Sequence, residues 1–133
     1  IAFPGGTAYN SRAFCSISLV YNNKEMKLDN VLVDTGSGGT LLKMDKVEEI
    51  GVVIEEDDTI ETIEGVGGIE FVYKKNMDKL VIGDIKVENF KVEIGVMDYG
   101  FDINGIIGMD FLKEINAVID LDKMEIQVRN SNG

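Results

Sequence analysis

The chain has 133 residues, 44% of them hydrophobic and 28% charged, a balance that fits one compact domain with a single core and argues against disordered, collagen-like or coiled-coil classes. Its net charge of -11 and pI near 4.3 create a field that repels nucleic acid and anionic membrane, both of which are bound through Lys/Arg patches. No run approaches the roughly 18 apolar residues of a membrane-spanning helix. With no histidine and one cysteine, the chain holds no Ser/His or Cys/His triad, no histidine-based zinc centre and no intrachain disulfide. Carboxylates, Lys and Tyr remain as catalytic candidates.

The first residue is Ile1 rather than Met, as expected of a trimmed or processed chain, and the compartment stays open with a lean to the cytoplasm. Cys15, Ile17 and Leu19 alternate with Phe14, Ser16 and Ser18, a strand rhythm that makes Cys15 a buried core thiol. A turn at Asn22-Asn23 precedes the apolar run Val31-Leu32-Val33, which leads into Asp34-Thr35-Gly36-Ser37. Met44, Val47 and Ile50 are spaced for a short helix over 43–50 that stops at Gly51. The acidic cluster Glu55, Glu56, Asp57 and Asp58 lacks the ligand spacing and glycine of a calcium loop and reads as a solvated turn.

Residues 62–71 form a glycine-rich tip, Gly65, Val66, Gly67 and Gly68, between segments able to pair as a hairpin. A G-x-G-x-x-G nucleotide loop is excluded because Glu70 stands where the last glycine would be. Gly83-Asp84 marks another turn; Phe90, Val92 and Ile94 then alternate with Lys91 and Glu93 up to Gly95. Ile106-Ile107-Gly108 leads into a second short helix over 109–115, with Phe111, Leu112 and Ile115 on one side. Met124, Ile126 and Val128 form a last strand after a turn at Asp122-Lys123. These elements give an all-β fold, a sandwich or closed barrel with one or two short helices, as a single domain over 1–133.

The segment from Val31 to Ser37 carries the chemistry. Its strand holds the Asp34 carboxylate rigidly at one end, Gly36 permits a tight turn, and Thr35 is expected to fix the loop by hydrogen-bonding nearby backbone. An Asp-Thr-Gly triplet arises by chance in a chain of this length about a few times in a hundred, so the triplet alone decides nothing.

The order of apolar strand, Asp-Thr-Gly, glycine-rich hairpin, apolar-apolar-Gly, short helix and final strand resembles the retropepsin-like aspartic proteases, and it extends from Ala13 to Val128. The stretch Ile107-Gly108-Met109-Asp110-Phe111-Leu112 looks closer to cellular and bacterial members than to viral ones. The resemblance implies a retropepsin-like barrel and an aspartic endopeptidase that uses Asp34, Thr35 and Gly36. Gly65, Val66, Gly67 and Gly68 would serve as a substrate-covering flap tip over a peptide or protein substrate, with no metal or cofactor. The chain departs from viral members in having Ser37, Gly38 and Gly39 where they carry Ala and then an acid that binds substrate backbone, and Ile106 after Gly105 where they place Arg.

An aspartic protease activates water between two carboxylates sharing a proton, yet no second Asp-Thr/Ser-Gly occurs: Asp98-Tyr99-Gly100 and the segment from Asp102 to Gly105 have the wrong composition or spacing. The resemblance therefore implies a homodimer that brings two copies of Asp34 together. Two alternatives stay open, a catalytically weak or inactive retropepsin-fold module for dimerisation or peptide binding, and a small acidic β-domain in which the triplet is coincidental.

Overall fold

Alternating buried and exposed side chains organise the protein into strands that bend around a shared interior. The computed structural model describes residues 12–65 and 68–129. In chain order these are β1 (Phe14–Tyr21), β2 (Lys24–Val33), β3 (Leu41–Lys43), α1 (Met44–Val47) running into a 3-10 turn (Glu48–Ile50), β4 (Ile60–Gly65), β5 (Gly68–Ile82), β6 (Ile85–Gly95), β7 (Gly105–Ile107), α2 (Met109–Glu114), β8 (Ala117–Asp120) and β9 (Glu125–Val128). The main sheet runs β1-β2-β7-β3-β6-β5-β4. It closes on itself because β5 also pairs with β1 through Ser18↔Val81, Leu19↔Leu80 and Val20↔Lys79, giving a six-stranded barrel. Strand β4 pairs with β5 outside that ring.

Closure explains the burial. Cys15, Ile17, Leu19, Met77, Leu80, Ile82, Val92 and Ile94 all point inward and are at most 2% exposed, as expected when one face of every strand lines a closed interior. Burial pushes the Cys15 thiol up to about 12, so it is a core residue and not a nucleophile. Phe111 of α2 is fully buried and meets Phe90 edge to face at 5.3 Å, which docks the helix on the barrel. The helix over 43–50 is half α and half 3-10 and ends at Gly51, whose φ of 86° is the left-handed cap that glycine favours. Asn22 and Asn23, both with positive φ, make the expected tight turn between β1 and β2.

The expected last strand forms as β9, without Met124, and one further expectation needs correction. Of the alternating set Met124, Ile126 and Val128, only Ile126 is buried, and Val128 is 45% exposed. β8 and β9 form a separate two-stranded sheet, and Val128 pairs with Ala117 at the end of its ladder. The acidic cluster is also more than a solvated turn: Glu55 and Asp58 each approach the Lys75 ammonium at 2.7 Å, and that lysine side chain is only 6% exposed. Asp58 additionally accepts the Glu55 N–H at 2.7 Å, so the pair closes the loop before β4 against β5. Among the described residues no helix is long and apolar enough to cross a membrane.

The Lys75 hydrogen bond, followed by the Glu55 N–H, holds the Asp58 carboxyl below its ordinary value of 3.8. A depressed folded-state value stabilises the fold above the unfolded pKa, and the contribution is lost as pH falls through the depressed one. Asp58→Asn should therefore lower the melting temperature at about pH 7. The gap to wild type should narrow as the pH falls below 3.8 and through the depressed value, measured by circular dichroism; a gap that persists in acid would show that the Asp58 charge is not the stabilising feature.

Candidate active site

Strand β2 delivers Asp34. It pairs in parallel with β7, Val33 opposite Ile107, so both strands release the chain at the same end of the barrel. The Asp34 N–H continues the ladder by donating to the Ile107 carbonyl at 2.9 Å, and Val33 N–H donates to Ala13 at 2.8 Å. Beyond the ladder the chain turns tightly: Gly36 N–H donates to the Asp34 carboxylate at 2.9 Å and Ser37 N–H to the Asp34 carbonyl at 3.1 Å. The carboxylate is half-buried, with one oxygen held by its own loop.

Helix α2 fixes the loop from below. Met109 N–H donates to the Ser37 carbonyl at 2.8 Å and Asp110 N–H to that of Gly38 at 3.2 Å, giving partners to donors that a helix start leaves unsatisfied. Thr40, fully buried, donates its hydroxyl and N–H to the Asp110 carboxylate at 2.8 and 3.2 Å and accepts the Gly108 N–H at 3.2 Å. Gly108 is confined by contact: a Cβ there would stand 2.3 Å from the Gly39 carbonyl oxygen. Neither Thr40 nor Asp110 was singled out by sequence. The available signal was an aspartate in the first turn of a helix, a position the helix dipole favours.

A cleft of about 560 Å³ opens above this loop, lined by Asp34, Gly36 and the loop to Gly39, by Ile63 and Glu64 of β4, and by Tyr99, Phe101 and Ile106. The β4–β5 hairpin thus shares a cavity with Asp34. Gly65 and Gly68 pair at its end, whereas Val66 and Gly67 lie outside the described residues. Gly68 lines a neighbouring hollow with Glu70 and Tyr99 and not the Asp34 cleft. Glu70 accepts the Met97 N–H at 2.7 Å and a short hydrogen bond from the Tyr99 hydroxyl, tying the hairpin to the aromatic wall. Burial, together with Glu70, holds the Tyr99 hydroxyl well above its usual range.

Thr35 departs from expectation. It is exposed, and among the described residues its hydroxyl bonds no backbone; Ser37 locks the loop instead, donating to the Gly39 carbonyl at 2.7 Å. Thr35 lines a separate hollow of about 710 Å³ with Met109, Leu112, Ala117, Val118 and Ile119.

A closed barrel with a carboxylate at a strand end, backed by a short helix and faced by a hairpin, defines a retropepsin-like fold. The sequence profile of the family described as aspartyl protease matches residues 17–111, most of the chain, and the protein belongs to that family. Its structure is similar to that of a retropepsin-like aspartic protease from Rickettsia conorii, with a TM-score of 0.64 and 20% identity over 90% of this chain and 92% of the other. A search of curated proteins finds no match.

Thr40→Val keeps the shape but leaves the Gly108 N–H and the Asp110 carboxylate short of a partner. It should cost about 1–3 kcal/mol of stability, read as a lower urea midpoint. An unchanged midpoint would mean that the Thr40 hydroxyl does not hold the loop.

Proposed function

We propose that this protein is an aspartic endopeptidase that works as a homodimer, with one Asp34 from each chain forming the catalytic pair. The observation that carries the reading is the half-buried Asp34 carboxylate, clamped at the end of β2 with one oxygen on the Gly36 N–H, in a cleft large enough for a peptide segment. The family match and the likeness to the Rickettsia protein support proteolysis as the chemistry.

One carboxylate is insufficient, because water must be deprotonated while the scissile carbonyl oxygen is protonated. Two aspartates about 3 Å apart do both, since like charges at that distance share a single proton and titrate as a unit. The ionised member accepts a proton from the attacking water as its oxygen bonds the carbonyl carbon, and the protonated member donates to the carbonyl oxygen. Collapse of the tetrahedral species breaks the C–N bond and returns a proton to the leaving amine.

Glu93 is a poor internal partner. It lies on β6, which is separated from β2 by β7 and β3, three inter-strand spacings or roughly 14 Å of backbone. A second copy meets the requirement by symmetry. The exposed Thr35 and the apolar hollow it lines beside Met109 and Leu112 supply a face for that copy directly next to Asp34. The hairpin that ends at Gly65 and Gly68 acts as the flap, closing over substrate and excluding bulk water.

A second reading, a peptide-binding dimer without turnover, is favoured by the absence of an acid at Ser37, Gly38 and Gly39. Incubating the protein and Asp34→Asn with a denatured-protein digest over about pH 4 to 7, with cuts mapped by mass spectrometry, separates the two. Cleavage should favour acid and fall at least about 10³-fold in the variant. Silence from a sample that is demonstrably dimeric would support the binding module.

The pair also has to overcome the repulsion of -11 charges on each chain, which weakens as carboxylates protonate. Sedimentation should therefore find a tighter dimer at about pH 5 than at about pH 7. Equal association at both would count against charge as the limit.

A further inference from the structure

The cleft around Asp34 has a one-sided charge. Of its fourteen described lining residues three are carboxylates, Asp34, Glu64 and Glu93, and none is Lys or Arg. Asp34 is engaged by its own loop and reserved for catalysis in the reading above. Glu64 is exposed on the hairpin. Glu93 differs from both, because it is half-buried and packs into the space above Gly39: a Cβ at position 39 would stand only 2.2 Å from its Oε1. The bare glycine backbone of the Asp34 loop is what leaves room for this carboxylate at the wall of the cleft.

Glu93 is left unsatisfied by the described residues. Among the described residues no hydrogen bond or ion pair reaches its carboxylate. Lys74 is its cross-strand neighbour but pairs with Glu61 at 3.5 Å. Lys91 borders a second hollow with Lys74, Glu93 and Asp110 and forms no ion pair with Glu93 either. Asp110 is occupied by Thr40. Burial, opposed by Lys74 and reinforced by Asp110, Glu61 and Glu70, holds the Glu93 carboxyl above its ordinary value. A half-buried carboxylate in this state gains most from an incoming cation, because a charge-assisted hydrogen bond would replace the water it has lost. The apolar and aromatic side chains of Leu41, Ile106, Tyr99 and Phe101 in the same cleft suit the methylene stem of a long basic side chain. Phe101 already carries a guanidinium, that of Arg12, 4.7 Å above its ring.

We propose that Glu93 forms a specificity subsite for a Lys or Arg side chain of the substrate, at one fixed position to one side of the bond that the Asp34 pair cuts. This rests on the protease reading. The roughly 14 Å of sheet between β2 and β6 places the subsite a few residues along an extended peptide from the scissile bond.

The test uses the full chain, cutting a peptide library mapped by mass spectrometry, followed by matched peptides carrying Lys, Arg or norleucine at the position the map selects. Wild type should cut the basic peptides about 10-fold or more faster in kcat/KM. Glu93→Gln, which keeps the shape, should bring the basic-to-neutral ratio towards one, and Glu93→Lys should turn the preference to acidic peptides. Cleavage by wild type that shows no Lys or Arg enrichment at any position overturns the proposal before a variant is made. So does a ratio that Glu93→Gln leaves unchanged. The same peptides titrated onto Asp34→Asn by fluorescence anisotropy separate the two readings. Binding that favours Lys or Arg through Glu93, in a wild type that cuts nothing, keeps the subsite and removes the protease; binding blind to the basic residue removes the subsite.

Discussion

The contact between Gly108 and the carbonyl of Gly39 is the constraint on which the site depends. Two backbone segments distant in sequence approach closer than any side chain at position 108 would allow. That closeness lets the first N–H groups of α2 reach the Ser37 and Gly38 carbonyls. The Thr40–Asp110 hydrogen bonds secure the approach from the buried side. The Asp34 loop is therefore positioned by a helix that is itself anchored in the core by Phe111, and the precision of the carboxylate is inherited from packing.

The barrel topology makes this interlock available. Because β2 and β7 run parallel, their ends emerge together, one into Asp34 and the other into Gly108. An antiparallel pair would have sent the two chains to opposite ends of the sheet. Closure through β1 and β5 then removes the free edges that an open sheet of these strands would expose. Within the main sheet only β4 stands outside the ring, and Ile63 and Glu64 on it line the cleft.

The acidity of the chain resolves into distinct roles once each carboxylate is placed. Asp110 and Glu70 are internal acceptors that join segments of chain, α2 to the Asp34 loop and β5 to the aromatic wall. Asp58 and Glu55 share the buried Lys75 and hold a loop. Asp34, Glu64 and Glu93 face the cleft, and no Lys or Arg is among the described residues that line it. A count of -11 describes the field but cannot distinguish an acid that fastens the fold from one that meets a ligand.

By itself the sequence determined the strand character of most segments, the two short helices, the turns at Asn22-Asn23, Gly83-Asp84 and Asp122-Lys123, and the family resemblance built on Asp34-Thr35-Gly36 and Ile106-Ile107-Gly108. These are legible because period-two alternation, glycine punctuation and an ordered set of motifs are local properties of the chain. The tertiary structure alone decided that Thr35 lines a separate hollow, that Glu55 and Asp58 hold Lys75, that Val128 stays exposed, and that Thr40 and Asp110 lock the loop. Glu93 illustrates the reason. In sequence it is one polar position in an alternating strand, indistinguishable from Lys91, and only the pairing of β6 with β3 beside Gly39 turns it towards the cleft. Partners 70 residues apart, as Thr40 and Asp110 are, leave no periodic trace, since their meeting is fixed by the register of strands between them and not by anything in their own neighbourhoods.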